Sequence, residues 1–355
     1  MEPSVHHKFN LKRRTCFLED GKLKLNWSAV LSKAFSETPD NAEIYMLGSH
    51  VQSSKAAVRR WEHNSDKDKA GYIDLMYKWV LDNGTIFDFS AGGMYRDKKR
   101  DSFFNEYTFN SGTDSKDPQY IGEDWNNFDE ILFEPRPYGN ISDPLNYDAT
   151  EKIGAGYGMV KYTIGNWELI AGVRAEHTNQ GYTLRFPTEN ANPEGKQVYT
   201  DILPSFHTKY VVHKNANLRF SYARSINRPS FFEIVPYSII NEDYKEKGNP
   251  DLKHTVADNI DLRYEFFPKS SEQFMVGLFY KKLKNPIEYG LLNEGQDTYY
   301  KPMNFGNAQN LGVEIDVMKY FNWFGIKANY TYTHSEITTD KRIMEGSEVK
   351  SSLTE

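Results

Sequence analysis

Strict alternation of apolar and polar side chains constrains the fold of this chain more than any other feature. It is clearest in residues 218–229, 248–268 and 274–288. The central stretch of the second segment alternates four apolar with four polar residues, namely Ile260, Leu262, Tyr264 and Phe266 with Asn259, Asp261, Arg263 and Glu265. A period of two is typical of a β-strand that has one apolar and one polar face. Because the polar faces carry full charges, we expect them to contact water.

Composition narrows the protein classes that such strands can form. No segment approaches the ~18 consecutive apolar residues of a membrane-spanning helix, but membrane β-barrels escape that test because their inner faces are polar. The content of 24 Tyr, 22 Phe and 6 Trp favours a barrel. The net charge of -6 argues against nucleic acid as a main partner. The single cysteine, Cys16, excludes an internal disulfide framework and a thiolate metal cluster.

Short and long connections alternate strictly along the chain. Tight turns are predicted at residues 19–21, 82–84, 165–166, 214–215, 268–271 and 321–322, and long polar loops at 36–69, 98–152, 225–256 and 284–310. We expect about twelve strands, which match the ~9–11 residues of a tilted membrane strand plus overhang and exceed the ~5–6 residues of soluble sheets. The sequence therefore predicts an all-β, antiparallel transmembrane β-barrel with tight turns on one side and long loops on the other. A soluble β-sandwich is the alternative, although it rarely keeps its loop lengths so strictly on one side.

Several short motifs follow one another in a specific order. They are Gly172–Glu176, Leu203–Ser205, Ser225–Pro229, Phe232–Glu233, Pro236–Tyr237, Gly248–Pro250, Gly277–Lys281, Pro286–Ile287, Asn304, Gly306–Ala308 and Gly312–Glu314. With these motifs the chain resembles the barrel of TonB-dependent outer-membrane receptors, especially the type common in Bacteroidetes. The resemblance covers most of the chain and is looser before residue 150.

The resemblance implies a location in the bacterial outer membrane and a function in uptake. Such a receptor binds a scarce nutrient, such as a siderophore, haem, cobalamin or a glycan, and passes it through the lumen when TonB pulls on a plug domain. The implied partners are outer-membrane lipid, the TonB complex acting through the plug, the transported small ligand and a surface lipoprotein. No enzymatic activity, cofactor or metal is expected. The alternative is a plug-less outer-membrane barrel that acts as a passive pore or adhesin.

The chain departs from the family pattern at both ends. Residues 1–4 show no secretory signal, no segment is left for a plug domain or an energy-coupling box, and the chain does not end in an aromatic membrane strand. We therefore expect residues 1–355 to form a partial barrel of about twelve of the roughly 22 family strands. Such a piece should be an open sheet, and its two unpaired edges should make the isolated polypeptide aggregate.

The motif residues around the loop at 225–256 are the first candidate site. They are Arg228, Pro229, Phe232, Glu233, Pro236, Tyr237, Gly248, Asn249 and Pro250. On a structural interpretation, which we prefer, Pro229 and Pro250 end strands and Gly248 supplies a turn with positive φ. On a functional interpretation, this loop lies outside the cell and frames the path by which ligand reaches the lumen.

Two further sets of residues are candidates for contact with the transported ligand. Aromatic side chains at loop tips can stack on sugar rings or planar chelators, and they are Trp61, Trp125, Phe128, Tyr138, Tyr299 and Tyr300. Charged residues on polar strand faces should point into the lumen, and they are Glu168, Arg174, Glu176, Arg219, Asp261, Arg263, Glu314 and Asp316. Calcium is an open alternative for the acidic residues between Asp114 and Glu130, although no loop with ordered oxygen-ligand spacing is visible. No catalytic constellation stands out.

Overall fold

The structure is a computed structural model that describes residues 6–16, 22–48, 50–51, 56–111, 133–135, 145–187, 192–240, 245–294, 297–345 and 348–354. These residues are almost all in β-strands. The one short helix among them is α1 (Phe231–Ile234), and the strands are β1 (His6–Cys16), β2 (Leu23–Ile44), β3 (Met46–Leu47), β4 (His50–Val51), β5 (Ala57–Val80), β6 (Ile86–Ser111), β7 (Phe133–Pro135), β8 (Tyr147–Ile164), β9 (Trp167–Leu184), β10 (Glu194–His213), β11 (Ala216–Asn227), β12 (Ser238–Ile240), β13 (Lys245–Lys247), β14 (Thr255–Phe266), β15 (Gln273–Lys284), β16 (Ile287–Glu294), β17 (Asp297–Asn304), β18 (Asn307–Tyr320), β19 (Gly325–Glu345) and β20 (Glu348–Thr354). No helix in the described part of the chain is long and apolar enough to cross a membrane.

Fourteen of the strands form one antiparallel sheet. Their order is β1-β2-β5-β6-β8-β9-β10-β11-β14-β15-β18-β19-β20, and β7 pairs with β6 beside this path. The path is linear: β1 lies at one end of the sheet and β20 at the other. Strand order therefore follows chain order, as in an up-and-down barrel, and the sheet is open. The predicted partial, antiparallel barrel is confirmed.

Five tight turns of the described chain lie at one end of this sheet. They join β5 to β6, β8 to β9, β10 to β11, β14 to β15 and β18 to β19. Gly84 and Gly165 take positive φ values of 81° and 52° in two of these turns, a backbone conformation that glycine adopts without steric cost. The longer connections lie at the opposite end, which we call the loop end. The predicted division into a turn side and a loop side is confirmed.

Several strands, including β2, β5, β6 and β8, are longer than the alternating pattern predicts. β2, β5 and β6 have 22, 24 and 26 residues, and β8 begins at Tyr147. Much of the predicted loops 36–69 and 98–152 is therefore strand, so that prediction was wrong. Beyond the membrane neither face needs to be apolar, so alternation disappears although backbone pairing continues. Cross-strand ion pairs accompany this pairing, such as Arg60 with Glu106 at 2.5 Å.

The strand register places apolar and polar side chains on opposite faces of the sheet. Leu262 is directly opposite Phe220 on β11 and Leu278 on β15, and Leu278 is opposite Val313 on β18. Similar rows of directly opposed apolar residues continue to β2, where Leu25 is opposite Leu75. We call this the outer face. The inner face is the opposite one, and it carries Arg263, whose neighbours across the strands are Arg219 and Gly277.

Candidate functional site

A segment of the predicted loop 225–256 packs onto the inner face at the loop end. We call it the inner-face loop, and it comprises residues 228–240 and 245–254 of the described chain. Helix α1 begins this segment with a capping box, in which Ser230 Oγ accepts a hydrogen bond from the Glu233 amide and the Glu233 carboxylate accepts one from the Ser230 amide. This reciprocal pair satisfies two amides at the start of the helix. The loop prediction was thus wrong in detail, because the segment contains a helix and two short strands.

The inner-face loop and the strand wall share one apolar core. It joins side chains of the loop to side chains of β6, β8, β9 and the residues beside them, namely Phe231, Ile234, Val235, Tyr237 and Leu252 with Phe104, Leu145, Tyr147, Ala149, Tyr182 and Leu184. Burial of large apolar side chains is the main stabilising force for such docking. The loop is therefore a packed part of the inner face.

Polar contacts fix the start of the inner-face loop. Arg228 forms an ion pair with Glu176 on β9 and donates a hydrogen bond to Thr178 Oγ1 at 3.0 Å. The other carboxylate oxygen of Glu176 binds Arg174 at 2.7 Å. Gln180 Nε2 donates to the carbonyl of Pro229 at 2.8 Å. Arg228 and Pro229 thus tie the loop to the wall.

The Gly248–Asn249–Pro250 motif holds the end of the same loop. Gly248 does not have a positive φ, so the predicted turn conformation was wrong. Glycine is needed there because a Cβ would collide with the carbonyl oxygen of Val235. Asn249 donates its amide N–H to Glu233 O at 2.7 Å and its side-chain N–H to Pro302 O at 2.9 Å. The carbonyl of Pro250 accepts a hydrogen bond from Gln197 at 3.0 Å.

The inner-face loop also joins the predicted loop 284–310. That segment contains the hairpin β16–β17, and β17 pairs in parallel with β13. The resulting sheet has the order β12-β13-β17-β16. Asn304 adds two bonds between the segments, since its Oδ1 accepts from the Lys253 amide and its Nδ2 donates to the Lys253 carbonyl. The two predicted loops therefore form one structural unit, which the sequence did not predict.

Two tyrosines of this unit sit in distinct environments. The ring of Tyr237 lies 4.2 Å from that of Phe232, and its hydroxyl donates to Glu246 at 2.6 Å. The pKa of Tyr237 is raised, mainly by burial and next by the hydrogen bond to Glu246. Lys247 Nζ lies 4.1 Å from the ring centroid of Tyr299, within cation–π range.

The predicted ligand-contact aromatics are not at loop tips where the structure describes them. Trp61 lies within β5 and packs edge-on against Tyr107 at 5.7 Å. Tyr299 and Tyr300 lie within β17; Tyr299 is buried, and Tyr300 is 36% exposed. Trp125, Phe128 and Tyr138, like the acidic residues from Asp114 to Glu130, lie outside the described residues.

A charged cluster on β5, β6 and β8 lies beside helix α1. Arg100 and Lys98 bind Asp66 at 2.7 and 3.2 Å, and both cations lie within 6 Å of the Phe231 ring centroid, at 5.6 and 5.4 Å. Arg96 binds Asp68 at 2.7 Å and Glu151 at 3.5 Å. Burial pushes the pKa of Asp66 up, but the hydrogen bond and charge of Arg100, with those of Lys98, outweigh it and hold this pKa below its ordinary value. The hydrogen bond to Asp66 raises the pKa of Arg100.

The sequence interpretation missed this cluster because all its residues except Arg96 lie in the segments predicted as loops. A signal was nevertheless present. Asp66 and Asp68 alternate on one strand, and Arg96, Lys98 and Arg100 alternate on the next, which is the spacing of one strand face.

The predicted lumen residues lie on the inner face, mostly towards the turn end. The register relates them through directly opposed positions, such as Glu168 with Lys209, Lys209 with Arg219, and Arg219 with Arg263. Four of them, Glu168, Arg219, Asp261 and Arg263, line a concavity of about 300 Å³, whose other lining residues are Ile170, His207, Thr208, Lys209, Phe220 and Ser221. Glu265, which was not predicted, binds Arg219 at 2.8 Å, and Glu314 binds Arg263 at 3.5 Å.

The described inner face therefore offers charges of both signs, hydroxyls and aromatic rings along its whole length. Within the described ranges, no group of three His, Cys, Asp or Glu side chains is arranged to hold a metal ion. The arrangement suits the reversible binding of a polar solute.

An open antiparallel sheet with tight turns at one end, an apolar outer face and a charged inner face defines an outer-membrane β-barrel. The model of the Outer membrane protein beta-barrel family matches residues 19–354, and the chain belongs to that family. No curated protein sequence matches the chain.

Solved structures show the same fold. The chain is similar to the siderophore receptor PiuA from Acinetobacter baumannii, with a TM-score of 0.63, 14% identity, and coverage of 98% of this chain and 49% of that one. The ferric citrate transporter FecA has a TM-score of 0.61 and 13% identity, with coverage of 94% of this chain and 43% of that one. The copper transporter OprC has a TM-score of 0.63 and 15% identity, with coverage of 95% of this chain and 47% of that one. The chain thus spans less than half of each of these proteins, and at such low identity the likeness shows the fold alone.

Proposed function

We propose that the protein is a TonB-dependent outer-membrane receptor that takes up a scarce nutrient. Residues 1–355 are assigned to its barrel, and none of them to the plug through which TonB would act. The nutrient belongs to the group of iron chelates, haem, cobalamin and glycans. The barrel fold that the chain shares with FecA, PiuA and OprC, which are named as a transporter of ferric citrate, a siderophore receptor and a copper transporter, supports this class.

The observation that carries the proposal is the packing of the inner-face loop against a charged wall. Lys98 and Arg100 lie over Phe231 of the loop, while Arg228 of the loop binds Glu176 of the wall. Polar and charged side chains continue from there to the concavity near the turn end. A solute that enters at the loop end would meet binding groups along its route, as a transporter requires.

We propose that Tyr300 contacts the ligand, and its position supports this role. It is partly exposed on β17 and lies opposite Glu246 of β13, so it can present an aromatic face beside a carboxylate. Tyr299 is buried beneath Lys247 and would act by holding this surface in place. We assign no enzymatic activity, because the inner-face clusters described above are ion pairs rather than a nucleophile held by a base.

A growth assay tests this function. A strain that lacks the protein is grown on single limiting sources of iron chelate, haem, cobalamin or glycan, and a strain with the restored gene is the control. We expect one source to fail in the deletion strain. A proton-gradient uncoupler should abolish uptake of that source while surface binding persists. Uptake that continues after uncoupling, or unchanged growth together with open conductance in planar bilayers, would contradict the proposal and support the passive pore.

A further inference from the structure

On the outer face, apolar side chains give way to lysines at the same level on three neighbouring strands. On β2, Leu31 is 51% exposed and Lys33 follows it on the same face. On β5, Ile73 is 54% exposed, and Lys69 and Lys67 follow it towards the loop end. On β6, Tyr95 is 55% exposed and is followed on this face by Asp97 and Lys99. The change marks the upper edge of the apolar band.

Three of these lysines form one row across the strands. Lys33 is directly opposite Lys67, and Lys67 is directly opposite Lys99. We call them the lysine row. Like charges directly opposite each other in a sheet are destabilising, and this contact occurs twice. All three side chains are exposed, and among the ion pairs of the described chain none involves any of them.

On the inner face of β5 and β6, by contrast, lysine and arginine side chains form ion pairs. There Arg96, Lys98 and Arg100 each bind an aspartate of β5. Each of these three inner-face cations therefore has an anionic partner on the neighbouring strand, whereas within the lysine row Lys67 has a lysine opposite it on both sides. The outer row consequently leaves its positive charge to a partner outside the chain.

A polar concavity continues the lysine row on the same face. It has a volume of about 260 Å³ and lies between β8, β9 and β10, lined mainly by Thr150, Lys152, Asn179, Gly181, Thr183, Glu194 and Lys196. Lys99 is opposite Thr150, Thr150 is opposite Gly181, and Gly181 is opposite Lys196. The row and the concavity are therefore one continuous surface.

Acidic groups near this surface do not cancel its charge. Asp97 lies opposite both Lys69 and Lys152 in the adjoining row, and Glu194 lies at the rim of the concavity. Asp101 and Asp148, in the next row towards the loop end, both bind Arg185. The surface therefore has two acidic residues, Asp97 and Glu194, and six lysines, namely Lys33, Lys67, Lys69, Lys99, Lys152 and Lys196.

We propose that the lysine row and the adjoining concavity bind the phosphate-bearing headgroups of glycolipids in the outer leaflet of the membrane. The level of the surface identifies this partner, because hydrocarbon chains end and headgroups begin at the upper edge of the apolar band. The lysines neutralise the phosphates, and Asn179, Thr150 and Thr183 supply hydrogen-bonding groups for sugar hydroxyls. This role is independent of nutrient uptake.

Binding of defined lipids tests the proposal. The protein is purified from outer membranes in detergent, and its melting temperature and bound lipid, counted by native mass spectrometry, are measured with bis-phosphorylated lipid A, with dephosphorylated lipid A and with inorganic phosphate. The row variant is K33Q/K67Q/K99Q. The matched control is K24Q/K78Q/K214Q, which removes three exposed lysines near the turn end.

We expect bis-phosphorylated lipid A to bind and stabilise the wild type and the control, and to bind the row variant at least fivefold more weakly. Without lipid, the row variant should melt at or above the wild-type temperature, since the repulsion is gone. If the triple variant does not insert, K67Q alone should weaken binding in the same direction. Equal binding by the row variant and the wild type would overturn the proposal, and so would equal stabilisation by inorganic phosphate or by dephosphorylated lipid A.

Discussion

Gly248 packs directly against the backbone carbonyl of Val235, so that any side chain at position 248 would collide with that oxygen. Gly248→Ala should therefore loosen the inner-face loop, at a cost of about 1–3 kcal/mol for local overpacking, and leave the barrel strands folded. Protease cleavage within residues 228–254 on intact cells should increase. Gly154→Ala is the matched control, because a Cβ there meets nothing within 4 Å. Equal protease resistance of the two variants would show that the close contact is dispensable.

Arg228 and Arg224 provide a second matched pair. Arg228→Gln leaves the buried Glu176 with Arg174 as its remaining cationic partner among the described residues. We expect a loss of about 2–3 kcal/mol, below the about 3–5 kcal/mol of a fully buried pair. Arg224 and Asp258 form a more exposed pair, with side chains 40% and 31% exposed, so Arg224→Gln should cost about 0–1 kcal/mol. Urea unfolding in lipid vesicles measures both. Similar losses would mean that the anchor of the loop lies elsewhere.

The loop end should lose stability in acid through Asp66. The pKa of its carboxyl in the folded protein lies below the ordinary value of 3.8, because Arg100 and Lys98 bind the carboxylate. The folded pKa is depressed, so the stabilisation is fully present above pH 3.8 and is lost as the pH falls below that value towards the folded pKa. Hydrogen exchange of β5 and β6, measured from about pH 6 down to about pH 2, detects the change. Asp66→Asn should abolish this pH dependence, whereas Asp82→Asn in a tight turn should not.

The two faces of β14 should differ sharply in their tolerance of charge. Ile260 lies on the outer face and Asn259 on the inner face, so Ile260→Arg near the membrane midplane should cost about 2–4 kcal/mol and Asn259→Arg much less. Single cysteines at Leu262 and Asp261, introduced after Cys16 has been replaced by serine, provide an independent measurement. An aqueous thiol reagent should label position 261 and spare position 262. Equal labelling would contradict the assignment of the faces.

The loop end should lie outside the cell. An epitope inserted at Asp124, which is beyond the described residues, should be accessible to antibody on intact cells, whereas one at Asn83 in a tight turn should become accessible only after the outer membrane is permeabilised. The reverse pattern would exchange the two sides of the barrel.

The sequence predicted the membrane part of the fold well because the lipid imposes a rule that is visible residue by residue. Ile260, Leu262 and Tyr264 must face hydrocarbon, while Asp261 and Arg263 must not, so alternation, register and turn positions follow. The extension of β5 through Asp66 and Asp68 was missed because no apolar face is required there. Charge alternation between those aspartates and Arg96, Lys98 and Arg100 carried the information instead.

The tertiary part of the site was not accessible to the same reasoning. The motif residues Arg228 and Gly248 could be identified, but their partners Glu176 and Val235 could not. Glycine was assigned to a positive φ, which is its commonest use in a turn, whereas here the approach of another backbone requires it. Such contacts depend on how the loop folds back, and local pattern does not encode that path.

The parallel pairing of β13 with β17 has a consequence for how the mouth of this barrel can move. Lys245 and Glu246 are joined to Tyr299 and Tyr300, and the side chain of Asn249 is joined to Pro302. Neither segment can swing away alone without breaking those bonds. Any wide opening that preserves them must carry both as a single flap, hinged where the chain leaves β11 and β15 and returns to β14 and β18.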